Sequence, residues 1–193
     1  MSQIVLVRHG STEWSVLGKH TGRTDIPLTS DGERGARALR PMLDGRPFGL
    51  VLVSPLLRAR STADLAGLAS YDIDPDLAEW DYGAIDGRTT AEISEGLGRP
   101  WSIWQDGVEA GGGESLTSLA ARARRVLARA EACLESGADV ALVGHGHALR
   151  VLAVTWLGLE PQAGALLALS PGSVSVLGFE HDRHVLEHWN TRK

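Results

Sequence analysis

Residues 6–14 read LVRHGSTEW. An aliphatic run that begins at Ile4 stops on arginine, histidine and glycine, and small polar residues follow at once. Ile4 to Val7 is β-branched and aliphatic without interruption, the pattern of a strand covered on both faces. Such a strand places a cation and an imidazole side by side at its carboxyl end. In open α/β sheets ligands bind outside the carboxyl ends of the strands, so this stretch bears on architecture and chemistry together.

Two more runs repeat the theme, GLVLVSP at 49–55 and ADVALVG at 138–144. Helical stretches alternate with them. PLTSDGERGARALRPMLDG (27–45) reads as one helix, with Ser30 and Glu33 placed for a capping box and Gly45 as a stop. LRARSTADLAGLA (57–69) has helical composition. Leu116, Leu119, Ala123, Val126, Leu127, Ala130 and Leu134 recur at helical spacing with arginines opposite. HALRVLAVTWLG (147–158) reads as a further helix ended by Gly158 and Pro161, and SVSVLGF and HVLEHWN close the chain as two strands. The expected fold class is α/β, a mainly parallel central sheet with helices on both faces. Residues 71–114 differ, being rich in Gly, Asp and Trp with one helical candidate at TTAEISEG (89–96), and read as a lid or an irregular subdomain.

At 193 residues the chain is expected to be a single domain, 1–193. Its 43% hydrophobic and 22% charged residues are ordinary for a globular protein. A net charge of −5 without any Lys/Arg block argues against a nucleic-acid partner, although it leaves room for one basic pocket. The one cysteine, Cys133, excludes an intramolecular disulfide and falls on the apolar stripe of the 116–134 helix, as a buried reduced thiol would. MSQIVLV has no basic leader and is too short to span a membrane, so a cytoplasmic protein with no membrane partner is expected, as a monomer or homodimer.

Three strands end alike: Arg8-His9-Gly10, then Ser54 to Arg58, then Gly144-His145-Gly146-His147. Two histidines and two arginines would converge at one sheet edge, the composition of an anion pocket holding a nucleophile or a general acid. His145 and His147 do not make a metal site by themselves, because a catalytic metal needs a third protein ligand, and no metal or cofactor is expected. Gly111 to Gly113 lack the Lys-Ser/Thr of a nucleotide loop. They read as a flexible approach to a helix starting near Ser115, whose N-terminus could offer amides to an anion. Trp14, Trp80, Trp101 and Trp104 gather in the loops, where filling the core of the irregular segment is favoured over stacking on a sugar. His181, His184 and His188 are expected at the surface.

LVRHGSTEW, TGRTDIPLTSDG, SPLLRARSTA, LAEWDYGAIDG, GGES and LVGHGHALR, in that order, resemble the histidine phosphatases of the phosphoglycerate mutase-like superfamily. The resemblance implies that fold's three-layer sandwich, with 71–114 as an irregular lid. It implies that His9 attacks a phosphomonoester and becomes phosphorylated, while Arg8, Arg58 and His145 hold the phosphoryl oxygens. Neighbouring guanidiniums would keep the imidazole neutral and offset the transferring charge. Gly10 would leave room for the phosphate, and Gly146 would face it. Glu79 matches the general acid, with Asp81 and Asp86 ranked below it. Thr21 and Gly22 match the loop over the phosphate. Ser15 stands where many relatives have asparagine, and Arg23 could meet a second substrate anion.

Relatives that act as mutases carry an arginine after the general acid, whereas Trp80 follows Glu79 here, so hydrolysis is the better reading. AEWDYGAIDG, RPWSIWQDG and HGHALRVLAVTWLGL further resemble a branch holding sedoheptulose bisphosphatases and acid phosphatases, implying a metal-independent hydrolase for a small sugar phosphate or bisphosphate. The alternatives are a cofactor-dependent phosphoglycerate mutase and a non-catalytic phosphate-binding or partner-binding pseudophosphatase.

Overall fold

The three apolar runs, a two-residue edge strand and the closing hairpin assemble into one six-stranded sheet. In the computed structural model, which describes residues 2–68 and 70–192, the strands are β1 (Ile4–Arg8), β2 (Phe48–Val53), β3 (Asp72–Ile73), β4 (Asp139–Gly144), β5 (Val174–Glu180) and β6 (Arg183–Thr191). Their spatial order is β3-β2-β4-β1-β5-β6. β1, β2, β3 and β4 run parallel, and β5 is antiparallel to both β1 and β6. The register places Arg8 beside Gly144 and Val53 beside Val143, so three strands finish level with one another.

Side-chain alternation along β1 explains the layers. Ile4 and Leu6 join one buried cluster, and Val5 and Val7 join the other. The first cluster is completed by α7 (Leu116–Leu134) and α8 (Gly146–Trp156), the second by α3 (Arg40–Leu43) and α4 (Leu57–Leu65), with α2 (Ser30–Ala38) lying against α4. Helices on both faces of a mainly parallel sheet are the expected architecture. Ala69, which the sequence joins to the α4 stretch, lies outside the described residues, as do Met1 and Lys193.

Three local expectations are corrected. The 27–45 helix is split at Leu39, where Pro41 in the first turn of α3 lacks an N–H and cannot continue the α2 ladder. Its N-cap is Thr29, whose side chain accepts from the Gly32 amide, so the third position is a glycine and the Ser30–Glu33 capping box does not form. That glycine is required: a Cβ on Gly32 would lie 2.1 Å from Ser11 O, and one on Gly10 would lie 2.4 Å from Gly32 O. Gly10 thus makes room for α2. Cys133 is partly rather than fully buried.

The 71–114 segment is irregular but well packed. It holds α5 (Thr90–Leu97), capped by a Thr89–Glu92 box, the single turn α6 (Ile103–Asp106) and three 3-10 turns. Trp80, Trp101, Ile93, Ile103 and Val108 bury themselves in the α7–α8 cluster. Gly113 is pressed against Asp81 O, where a Cβ would be 2.7 Å away, while Gly112, at φ +76°, faces open space. Among the described residues no helix is long and apolar enough to cross a membrane.

Candidate active site

The parallel ladder carries on one residue past the strands. The His9 amide donates to Gly144 O at 3.0 Å and the Ser54 amide to Val143 O at 3.0 Å, which sets His9, Ser54 and His145 side by side. The His9 and His145 rings are 5.1 Å apart. His9 Nδ1 lies 2.7 Å from Gly10 O, and a carbonyl only accepts, so Nδ1 carries the proton and Nε2 keeps its lone pair. Nε2 has no protein partner among the described residues, yet it is not sealed off. Burial, then Arg8, then Arg58 hold the His9 pKa well below the ordinary value, so the ring is neutral. Thr62 on α4 braces the loop by accepting from the Gly10 amide at 3.0 Å.

Arg58 is wholly buried, and its guanidinium organises two elements. Nε donates to His145 Nδ1 at 3.2 Å, while Nη1 and Nη2 donate to the carbonyls of Thr24, Thr21 and Gly22, each at 3.0 Å. Because Nδ1 accepts, His145 carries its proton on Nε2, which donates to Ser54 Oγ at 2.7 Å. Both His145 nitrogens are therefore engaged. Its pKa is also driven well down, by burial first and Arg58 next. The 21–24 loop is held from its other side by Asp86, which accepts from the amides of Gly22 and Thr24 and from the Thr24 hydroxyl.

Glu79 is buried against the start of α8. Its Oε1 accepts from the Trp80 and Ala148 amides, both at 2.9 Å, and its Oε2 from the His147 amide at 3.1 Å. A carboxylate at a helix N-terminus satisfies donors that have no intrahelical partner. Glu79 and His9 line one cavity of about 200 Å³ together with Arg8, Ser15, Lys19, His20, Thr21, Tyr82, Gly146, His147 and Arg150. Arg8 donates to Leu169 O, and its buried Nε has no acceptor, an unmet donor in the wall of this cavity.

Of the residues expected from the sequence, the structure brings Arg8, His9, Ser15, Thr21, Glu79 and Gly146 to the cavity wall, with Arg58, His145 and Gly22 directly behind it. Ser15 Oγ caps α1 (Glu13–Val16) through Thr12. Arg23 lies outside the wall: its side chain is 71% exposed and paired with Asp81. That pairing and the capping duty of Asp86 leave both aspartates away from His9. The first turn of α7 does not reach the cavity either, and Glu114 beside it pairs with Arg122. Trp80 donates Nε1 to Glu114 O and is fully buried, a core residue as favoured.

Sequence reasoning missed Lys19, His20, Tyr82 and Arg150 in the wall. His147 and Arg150, three apart on α8, share a face, which LVGHGHALR already contained. No such periodicity marks Lys19, His20 or Tyr82, which lie on loops. Among the described residues no group of three or more His, Cys, Asp or Glu side chains is placed to hold a metal ion.

Comparison with known proteins agrees with this geometry. The pattern of the histidine phosphatase superfamily (branch 1) matches residues 4–192. The chain is 38% identical over 181 residues to an acid phosphatase of Mycobacterium tuberculosis, covering 93% of this chain and 87% of that one. It is 38% identical over 187 residues to the sedoheptulose 1,7-bisphosphatase of Saccharomyces cerevisiae, covering 82% and 68%. It is 32% identical over 195 residues to a probable phosphoglycerate mutase GpmB of Yersinia enterocolitica, covering 98% and 90%. The solved structure of the open reading frame Rv3214 product from M. tuberculosis superposes with a TM-score of 0.89 at 36% identity, covering 99% of this chain and 98% of that one. With that pattern matched over nearly its whole length and relatives of 38% identity, the chain belongs to the histidine phosphatase superfamily, branch 1.

Proposed function

We propose that this enzyme hydrolyses small sugar phosphates or bisphosphates through a phosphohistidine on His9. The observation that carries the reading is the unpartnered Nε2 of a neutral His9 in one cavity with Glu79 and the unmet donor of Arg8. In the first step His9 Nε2 forms a P–N bond as the P–O ester bond breaks, and the leaving alkoxide takes a proton from Glu79. Oε1 of Glu79 already accepts two amides and Oε2 only one, so the proton is carried on Oε2. In the second step water attacks phosphorus, Glu79 takes its proton, and the P–N bond breaks to return His9 and inorganic phosphate.

Arg8 and the free hydrogen of Arg58 Nη1 offset charge on the transferring group, so the protein's own cations do the work of electrostatic stabilisation. His145 aims Arg58, and its Nε2–H joins the phosphoryl oxygens by exchanging its bond to Ser54. Hydrolysis is favoured over transfer because the residue after Glu79 is a buried tryptophan, which puts no second cation beside the acid. A second substrate anion would meet Lys19 and Arg150, the cations in the wall, rather than Arg23.

The test is to trap the enzyme with labelled aryl phosphate. An acid-labile phosphoenzyme that decays in water, and is lost together with turnover in His9→Ala, is expected. Appreciable turnover in His9→Ala would overturn the mechanism, and a label that survives water but passes to 3-phosphoglycerate would make the enzyme a mutase.

A further inference from the structure

We propose that His147 is a specificity residue of this enzyme, its Nε2 forming a hydrogen bond to a hydroxyl of the leaving group. The inference rests on the phosphatase reading and adds to it the part of the substrate that lies beyond the phosphate.

The ring is fixed in place. His147 Nδ1 lies 2.7 Å from the buried Tyr82 hydroxyl, and the ring is 5.7 Å from Tyr82, 6.0 Å from Trp80 and 5.3 Å from Trp104, centroid to centroid. His20 closes a further side at 6.1 Å. Packing of this kind locks a rotamer, which a recognition residue needs. Nδ1 is spent on Tyr82, whereas Nε2 has no protein partner among the described residues and the ring lines the cavity. An imidazole nitrogen left open in the wall of the cavity that holds His9 and Glu79 points to a ligand group there.

Position identifies the group. The amide of His147 is bonded to Glu79 Oε2, the oxygen that hands its proton to the leaving group. The side chain of the same residue therefore stands next to the leaving oxygen, on the substrate side of the phosphate. Chemistry narrows it further. Burial, followed by Arg150, His20 and Arg8, lowers the His147 pKa well below the ordinary value, so the ring is neutral. A neutral imidazole exchanges one hydrogen bond with a hydroxyl, while an anionic oxygen is better served by the cations Lys19 and Arg150. The rings of His20 and Tyr82 in the same wall suit the C–H faces of a carbohydrate.

The experiment compares kcat/KM for glycerol 3-phosphate and n-propyl phosphate, which share an alkyl phosphate and differ only in hydroxyls. The wild type is expected to favour glycerol 3-phosphate by about tenfold, the worth of one neutral hydrogen bond made in the site. His147→Phe keeps a ring of similar size and is expected to bring the ratio close to one, whatever happens to the absolute rates. A histidine that merely held Tyr82 in place would lower both substrates together and leave the ratio standing, which would overturn the inference. A wild-type ratio near one would overturn it with no variant needed. Failure of the wild type to hydrolyse even an aryl phosphate would instead overturn the phosphatase reading beneath it.

Discussion

Thr62→Val tests whether a single hydroxyl on α4 holds the nucleophile's loop. Thr62 Oγ1 accepts from the Gly10 amide at 3.0 Å and donates to Arg58 O at 2.7 Å, and Thr62 is fully buried. Valine fills the same volume, so packing is conserved while the Gly10 N–H loses its partner inside the protein. An unsatisfied buried donor costs about 1–3 kcal/mol. For 193 residues at about 2.1 cal/mol/K each, the unfolding entropy is about 0.4 kcal/mol/K, so a loss of about 2 kcal/mol lowers Tm by about 5 °C. Activity falls too, because Gly10 O orients His9 Nδ1, and a displacement of about 1 Å in a reacting group costs up to about a hundredfold. Thermal unfolding by circular dichroism and steady-state hydrolysis of an aryl phosphate read the two effects. Thr62→Ser, which keeps the hydroxyl, is expected to recover most of both. A Thr62→Val protein that melts with the wild type and retains its kcat/KM would refute the bracing argument.

Two further outcomes follow from the site. His9 and His145 are buried with pKa values well below 6.5, so the unfolded chain binds protons that the folded one refuses. Their stabilising contribution, together with that of His147, which is held down in the same way, is present above pH 6.5 and lost as pH falls below it, so Tm should drop from pH 7 toward pH 5 with uptake of about three protons on unfolding, and a flat Tm over that range would contradict the assignment. For a sugar bisphosphate, Arg150→Ala should raise KM by about tenfold or more, whereas Arg23→Ala, exposed and paired with Asp81, should change it by less than about twofold. The reverse order would return the second anion to the 21–24 loop.

The strands and helices were legible because burial imposes a period. Ile4 to Val7, Leu50 to Val53 and Val140 to Val143 announce strands covered on both faces, and Leu116 to Leu134 announces a helix with one buried stripe. Where the sequence misled, a backbone contact across the fold was responsible. Thr29 rather than Ser30 caps α2 because Gly32, at the third helical position, must pass against Ser11 O. Gly111 to Gly113 looked mobile by composition, and at Gly113 the lack of a side chain lets two backbones touch.

Sequence alone was enough to place the chain among the histidine phosphatases, because the motifs that carry the resemblance lie where the strands end: Arg8 and His9 after one, Arg58 after another, His145 after a third, with Glu79 in the segment between. Tertiary structure decided how those groups are shared out. Arg58 spends most of its donors on the 21–24 loop and on His145, and Arg23 turns outward to Asp81 while Arg150, tied to the carbonyls of Gly164 and Ala165, lines the cavity. His147 proves to be locked by Tyr82, a residue 65 positions earlier in the chain. Hydrogen bonds and close backbone contacts are satisfied by whatever the fold brings within reach, and sequence separation carries no record of that distance.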